Sequence, residues 1–112
     1  MTLIENEKLE LKKSTSELKE GIISIVSILN KHNSGELLFG ITSDGTVVGQ
    51  DVTEKTIRDV SQKIWNSIEP KIYPEINKRI IKNKECISVK FVGDELLYYV
   101  NGKAYIIKRD AH

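Results

Sequence analysis

The sequence predicts an α+β domain, a small twisted mixed sheet carrying two principal helices. Three observations lead there. Apolar residues recur at helical spacing in two long stretches, they alternate with polar residues in several shorter ones, and Asp-Gly, Gly-Asp and Asn-Gly pairs punctuate the shorter stretches as tight turns.

Leu9-Glu-Leu-Lys12 alternates apolar and polar residues and opens the sheet as a short strand. Ser14, Thr15 and Ser16 offer helix caps, after which Leu18, Ile22, Ile25, Val26 and Leu29 mark the buried stripe of a first helix over residues 17–31. Gly35 suits the turn from that helix into a strand, because glycine enters the left-handed region without a Cβ penalty. Leu37-Leu-Phe39 and Ile41 form the next strand, and Asp44-Gly45 turns it back into Val47-Val48, the strongest local hairpin signal in the chain.

Thr53 caps a second helix reaching to about residue 69, with Ile57, Val60, Ile64 and Ile68 along its apolar side and Pro70 at or just past its end. Trp65 adjoins that stripe, and spacing alone leaves rim packing and a stacking platform both open. Residues 76–81, 85–92, 96–100 and 103–107 then read as strands, with Asn83-Lys84, Gly93-Asp94 and Asn101-Gly102 at their junctions. The helices pack against one face of the resulting sheet.

A chain of 112 residues holds one hydrophobic core and not two, so residues 1–112 form a single domain. It ends in Lys108-Arg-Asp-Ala-His112 without a clean stop, which is the expectation for the N-terminal part of a longer protein. Cys86 is the only cysteine, which excludes an internal disulfide and a cysteine-based metal cluster and leaves it a strand residue. Neither a secretory signal nor a spanning segment is visible, so the expected location is cytoplasmic and no membrane partner is implied.

The net charge of +1 conceals an asymmetry: residues 1–56 carry six basic and nine acidic side chains, and residues 57–112 carry eleven and seven. Lys78, Arg79, Lys82 and Lys84 cluster around one strand and its turn, with Lys71 before them and Lys90, Lys108 and Arg109 beyond. Lys78, Lys82 and Lys84 share parity and are expected on one face, joined by Lys90 if no bulge intervenes. Such lysines contact phosphates without choosing a sequence, and Tyr73, Tyr98, Tyr99 and Tyr105 are placed to interleave with them, as stacking or as packed residues.

Three carboxylates are candidates for chemistry. Glu10 lies on the opening strand, Asp44 at the turn after the next long strand, and Glu5 upstream of both. If they meet, they could bind magnesium or manganese and position water for phosphodiester cleavage; if they do not, they are surface carboxylates and a turn residue. Lys12, two residues beyond Glu10, is either a phosphate contact or the partner of that carboxylate. His32 stands at a helix end without a second histidine or cysteine near it in sequence, which argues against zinc. No Gly-Lys-Ser/Thr occurs, so autonomous ATP hydrolysis is not expected.

The order of these pieces resembles the Schlafen-type Alba-like domain that opens many microbial transcriptional regulators, a family associated with divergent AAA proteins. The resemblance rests on Glu5 with Leu9-Glu10-Leu-Lys12, the first helix with Asn30 through Gly35, Leu37-Leu-Phe-Gly-Ile41, Asp44-Gly45, Val48-Gly49, and the closing Tyr99 and Gly102-Lys-Ala-Tyr-Ile106. It implies an Alba-like fold and a nucleic-acid-associated module. In some Schlafen members three carboxylates form a metal-dependent RNA-cleaving site, and the first two would fall on Glu5 and Glu10. The chain departs from the pattern in three places. Thr42-Ser43 stands where an acidic residue often follows the glycine strand, Ser34 precedes Gly35 where glycines are commonly paired, and Ile107 replaces an arginine, with Lys108 and Arg109 farther on. The leading expectation is a DNA- or RNA-binding module of a DNA-associated transcriptional regulator, needing no cofactor. A metal-dependent endoribonuclease using Glu5, Glu10 and Asp44 with magnesium or manganese stays open, as does a structural or homodimerising domain.

Overall fold

A computed structural model describes residues 3–105 of the chain. The elements run β1 (Leu9–Lys12), a 3-10 turn (Thr15–Glu17), α1 (Leu18–His32), β2 (Ser34–Phe39), α2 (Glu54–Ser67), β3 (Ile68–Glu69), β4 (Glu75–Ile81), β5 (Lys84–Val92), β6 (Tyr99–Val100) and β7 (Lys103–Ala104). The main sheet has the order β1-β2-β5-β4, with β1 parallel to β2 and the other pairs antiparallel, and β3-β6-β7 form a small antiparallel sheet. The fold is therefore the expected α+β arrangement with a mixed sheet. No helix among the described residues is long and apolar enough to cross a membrane.

The period of two in β2 and β5 decides which side the helices cover. Leu37, Phe39, Ile87, Val89 and Phe91 point to one face and pack with Ile22, Ile25, Val26 and Leu29 of α1 and Val60 and Ile64 of α2. Burying each such side chain contributes about 1.5–3 kcal/mol. The opposite face holds a smaller cluster of Leu11, Leu38, Ile41 and Cys86, covered by Leu3, Leu9, Val47 and Ile81.

The turn out of α1 works differently from the sequence expectation. Asn33, not Gly35, takes the left-handed conformation, with φ 69° and its N–H donated to Leu29 O. Gly35 lies inside β2, where a Cβ would come within 2.6 Å of Ile28 Cγ2 and 2.8 Å of the Lys8 carbonyl oxygen. Close approach of α1, β1 and β2 is what requires glycine there.

The segment after β2 turns back as expected, with Gly45 N donating to Thr42 O and Thr42 N to Thr46 O, but its antiparallel pairing stays short. Only one bridge, Ile41 to Val47, joins its arms, while Val48 N and Gly49 N both donate to Gly40 O. Side-chain capping by Asp44 competes with ladder formation. In α2, Thr53 caps as expected, in a reciprocal box with Thr56, but the helix stops at Ser67 because Ile68 pairs with Val100 as a strand. The expected strand over residues 96–100 is shortened to Tyr99–Val100, since Asp94 N and Glu95 N donate to the Tyr98 hydroxyl and hold a loop. Residues 106 and 107, the end of the strand expected over 103–107, lie outside the described residues, as do Lys108, Arg109 and His112.

Candidate nucleic-acid interface

Each of the three candidate carboxylates is engaged within the fold. Glu5 Oε2 accepts from Leu11 N at 3.0 Å along the outer edge of β1. Glu10, on β1, is 4% exposed and meets Lys12 Nζ at 3.0 Å, so Lys12 is a carboxylate partner, one of its two expected roles. Asp44 is exposed and accepts from the Thr42 hydroxyl and from Thr46 N, and the Thr42 bond above all holds its carboxyl below the usual carboxylate range. Among the described residues no three His, Cys, Asp or Glu side chains are grouped to hold a metal ion.

The basic residues divide between two faces of the β4–β5 hairpin. A two-residue turn at Lys82-Asn83, with φ 49° and 64°, pairs Ile81 with Lys84 and fixes the register. Lys78 pairs with Ile87 and therefore points to the helix side, whereas Arg79 pairs with Cys86, and Lys84 and Lys90 with Ile81 and Glu75, on the open side. The shared face expected for Lys78, Lys82, Lys84 and Lys90 is corrected accordingly. The turn at residues 82 and 83 breaks the parity count, because a two-residue turn pairs Ile81 with Lys84, three positions on, so residues on one face have opposite parity in β4 and β5.

Several of these cations are already engaged. Lys78 Nζ lies 3.7 Å from Glu85, Lys71 Nζ 2.6 Å from Glu69, and Arg79 Nη1 3.4 Å from Glu36, whose carboxylate also accepts from the buried Ser88 hydroxyl at 2.6 Å. Lys82, Lys84 and Lys90 are exposed and have no carboxylate within ion-pair distance among the described residues.

The tyrosines separate just as clearly. Tyr98 is 2% exposed and packs under Gly93, Tyr105 packs against the core, and Tyr99 is partly exposed on β6. Only Tyr73 stands far out, at 83% exposure, with its ring 5.6 Å from that of the 42%-exposed Trp65. Cys86 is fully buried, and burial pushes its thiol up. His32, on the last turn of α1, has Nε2 3.5 Å from Glu7.

Sequence reasoning missed Asn30. Its side-chain amide donates to Tyr98 O and Tyr105 O, each at 3.0 Å, and accepts from Tyr98 N at 2.6 Å. Its place in the Asn30–Gly35 stretch of the resemblance and at the border of the α1 stripe gave no hint of what its side chain holds. Arg58 and Gln62, which share an exposed face of α2 with Trp65, were missed because a helix surface is polar whatever its role.

Two solved structures resemble this arrangement. A protein from Corynebacterium diphtheriae superposes with a TM-score of 0.73 at 11% identity over 94% of this chain, which spans only 21% of that protein. The N-terminal domain of a RecG-related protein from Nitrosomonas europaea gives a TM-score of 0.67 at 20% identity, covering 98% of this chain and 90% of that domain. At these identities the likeness establishes the fold. No curated protein matches the chain. The family model described as Schlafen, AlbA_2 matches residues 5–112, and the chain belongs to that family.

Proposed function

We propose that this domain binds nucleic acid through phosphate contacts from the β4–β5 hairpin, as a module of a DNA-associated regulator. The observation that carries the reading is the set Lys82, Lys84 and Lys90, exposed and without a carboxylate partner among the described residues, at the tip and on the open side of one hairpin. Unpaired lysines release condensed counterions when they meet phosphates, and this favours binding without reading a sequence. Arg79, held by Glu36, flanks them and orients more than it attracts. Membership of the Schlafen, AlbA_2 family and the helicase-related name of the Nitrosomonas neighbour support the same class of partner.

The test is the salt dependence of binding to a DNA and RNA panel. Replacing Lys82, Lys84 and Lys90 together by glutamine should lower the slope of log affinity against log salt by about one for each phosphate no longer neutralised. An affinity that does not change between low and high salt, or a slope untouched by the triple variant, would contradict the proposal.

A further inference from the structure

A groove of about 680 Å3 runs between α2 and β4, away from the lysines at the hairpin tip. That volume lies within the range of ligand clefts. Ile57 and Ile76 give it apolar walls, and Arg58, Gln62 and Trp65 of α2 face Lys78 of β4 across it. Arg58, Gln62 and Trp65 fall on one side of the helix because they lie four and three residues apart.

Three features of this groove match one chemical partner. The first is an aromatic surface withheld from the core: Val60 and Ile64 of α2 are buried, yet the adjacent Trp65 is 42% exposed beside Tyr73, with Lys71 Nζ 5.0 Å from its ring. Exposed rings flanked by cations are the platforms on which unpaired bases stack. The second is uncommitted polarity, since the side chains of Arg58 and Gln62 make no hydrogen bond or ion pair among the described residues. An amide side chain can both donate to and accept from a base edge, and a guanidinium can hold the adjoining phosphate. The third is backbone. The two-residue turn makes Ile81 and Lys84 a hydrogen-bonded pair, so alternation turns the N–H and C=O groups of Ile76 and Lys78 to the outer edge of β4. They add donors and acceptors at the groove's rim.

We infer that this groove binds single-stranded nucleic acid, with an unstacked base on Trp65 and its phosphates near Arg58 and Lys78. The inference rests on the nucleic-acid reading above and narrows it to unpaired strands. A duplex keeps its base faces stacked and cannot offer one to the indole.

Trp65 is the only tryptophan, so its emission, excited at the red edge where the four tyrosines scarcely absorb, reports this site alone. A twenty-nucleotide oligothymidine should quench its emission, and the same strand annealed to oligoadenosine should not. Trp65→Ala should weaken single-strand binding about tenfold, Trp65→Phe much less, with duplex affinity and salt slope unchanged. Circular dichroism checks that the variants fold, and quenching in the unmodified protein tests the site without any variant. Single-strand binding that leaves the emission unchanged, or that Trp65→Ala does not weaken, overturns the groove assignment and leaves the hairpin proposal standing. Quenching that persists when Lys82, Lys84 and Lys90 are replaced by glutamine supports the groove even where the salt test refutes the hairpin.

Discussion

Replacing Asn30 by alanine should detach the closing segment from the body of the domain. The side chain makes three hydrogen bonds, two donated to Tyr98 O and Tyr105 O and one accepted from Tyr98 N, and so fixes a stretch 68 and 75 residues away in sequence. A neutral hydrogen bond contributes about 0.5–1.5 kcal/mol net, and a buried N–H left without a partner costs about 1–3 kcal/mol. Tyr98 is buried, so its N–H falls in the costly class, while the two carbonyls can recruit water. Better helix propensity of alanine in α1 offsets about 0.5 kcal/mol. The net loss is about 2–3 kcal/mol, a drop in Tm of about 8–15 °C for a domain this size. Thermal melts followed by far-ultraviolet circular dichroism give the number, and hydrogen exchange at Val100 and Lys103 gives its location. Asn30→Asp should be at least as damaging near neutral pH, because it keeps the acceptor but sets a carboxylate against two carbonyl oxygens. An Asn30→Ala protein within about 0.5 kcal/mol of the original, the range of ordinary surface substitutions, would show that the amide does not anchor the segment.

Two further outcomes test other parts of the structure. Gly35→Ala should destabilise by about 1–3 kcal/mol in urea unfolding, since the new methyl meets the Lys8 backbone carbonyl as well as Ile28, and a neutral result would mean that β1 can shift. Asp44 should titrate below the ordinary carboxylate value when followed by NMR at its carboxyl and at Thr46 N–H. Because its folded pKa is depressed, its contribution to loop order is present above the unfolded value and lost as pH falls through the folded one, and a midpoint at or above the ordinary value would refute that sign.

The elements legible in the sequence were those whose pattern and tertiary role agree. β1 sits where Leu9-Glu-Leu-Lys12 alternates, and the α1 stripe and the Thr53 cap do what their spacing implies. Sequence reading failed where a side chain and the backbone compete for one job. Asp-Gly after a strand signals a turn back, and the turn forms, but with the Asp44 carboxylate bound to Thr42 and Thr46 the pairing beyond it is limited to the Ile41–Val47 bridge. Gly35 was legible as a necessary glycine and illegible as to why, because crowding by Ile28 and Lys8 is a property of three elements meeting. Parity misassigned the lysines, since one two-residue turn sends Lys78 and Lys84 to opposite sides of the sheet. Of the candidate residues, charge clustering picked out cations that the fold places on one hairpin, whereas the hydrogen bonds that engage Glu5 and Asp44 depend on tertiary contacts and turn geometry that spacing does not show. Trp65 could not be classed by spacing, as a helix position beside the apolar stripe serves packing and display alike.

The two edges of the main sheet are finished differently, and that difference argues for where ligands are met. Along β1 the outward N–H groups are occupied: Leu9 N donates to Asn6 O, Leu11 N to Glu5 and Lys13 N to Glu17. An edge whose N–H groups are so capped offers few donors to another strand or a ligand backbone. Carboxylates that resemble a catalytic set in sequence are, at Glu5 and Asp44, satisfying backbone donors, which the fold needs whether or not chemistry occurs. Along β4 no such caps form among the described residues, and Lys78, a charged residue of the kind that deters pairing with another sheet, lies mid-strand beside the α2 groove. Binding at the β4 side would therefore leave the sealed β1 side, and the packing between α1 and the sheet, undisturbed.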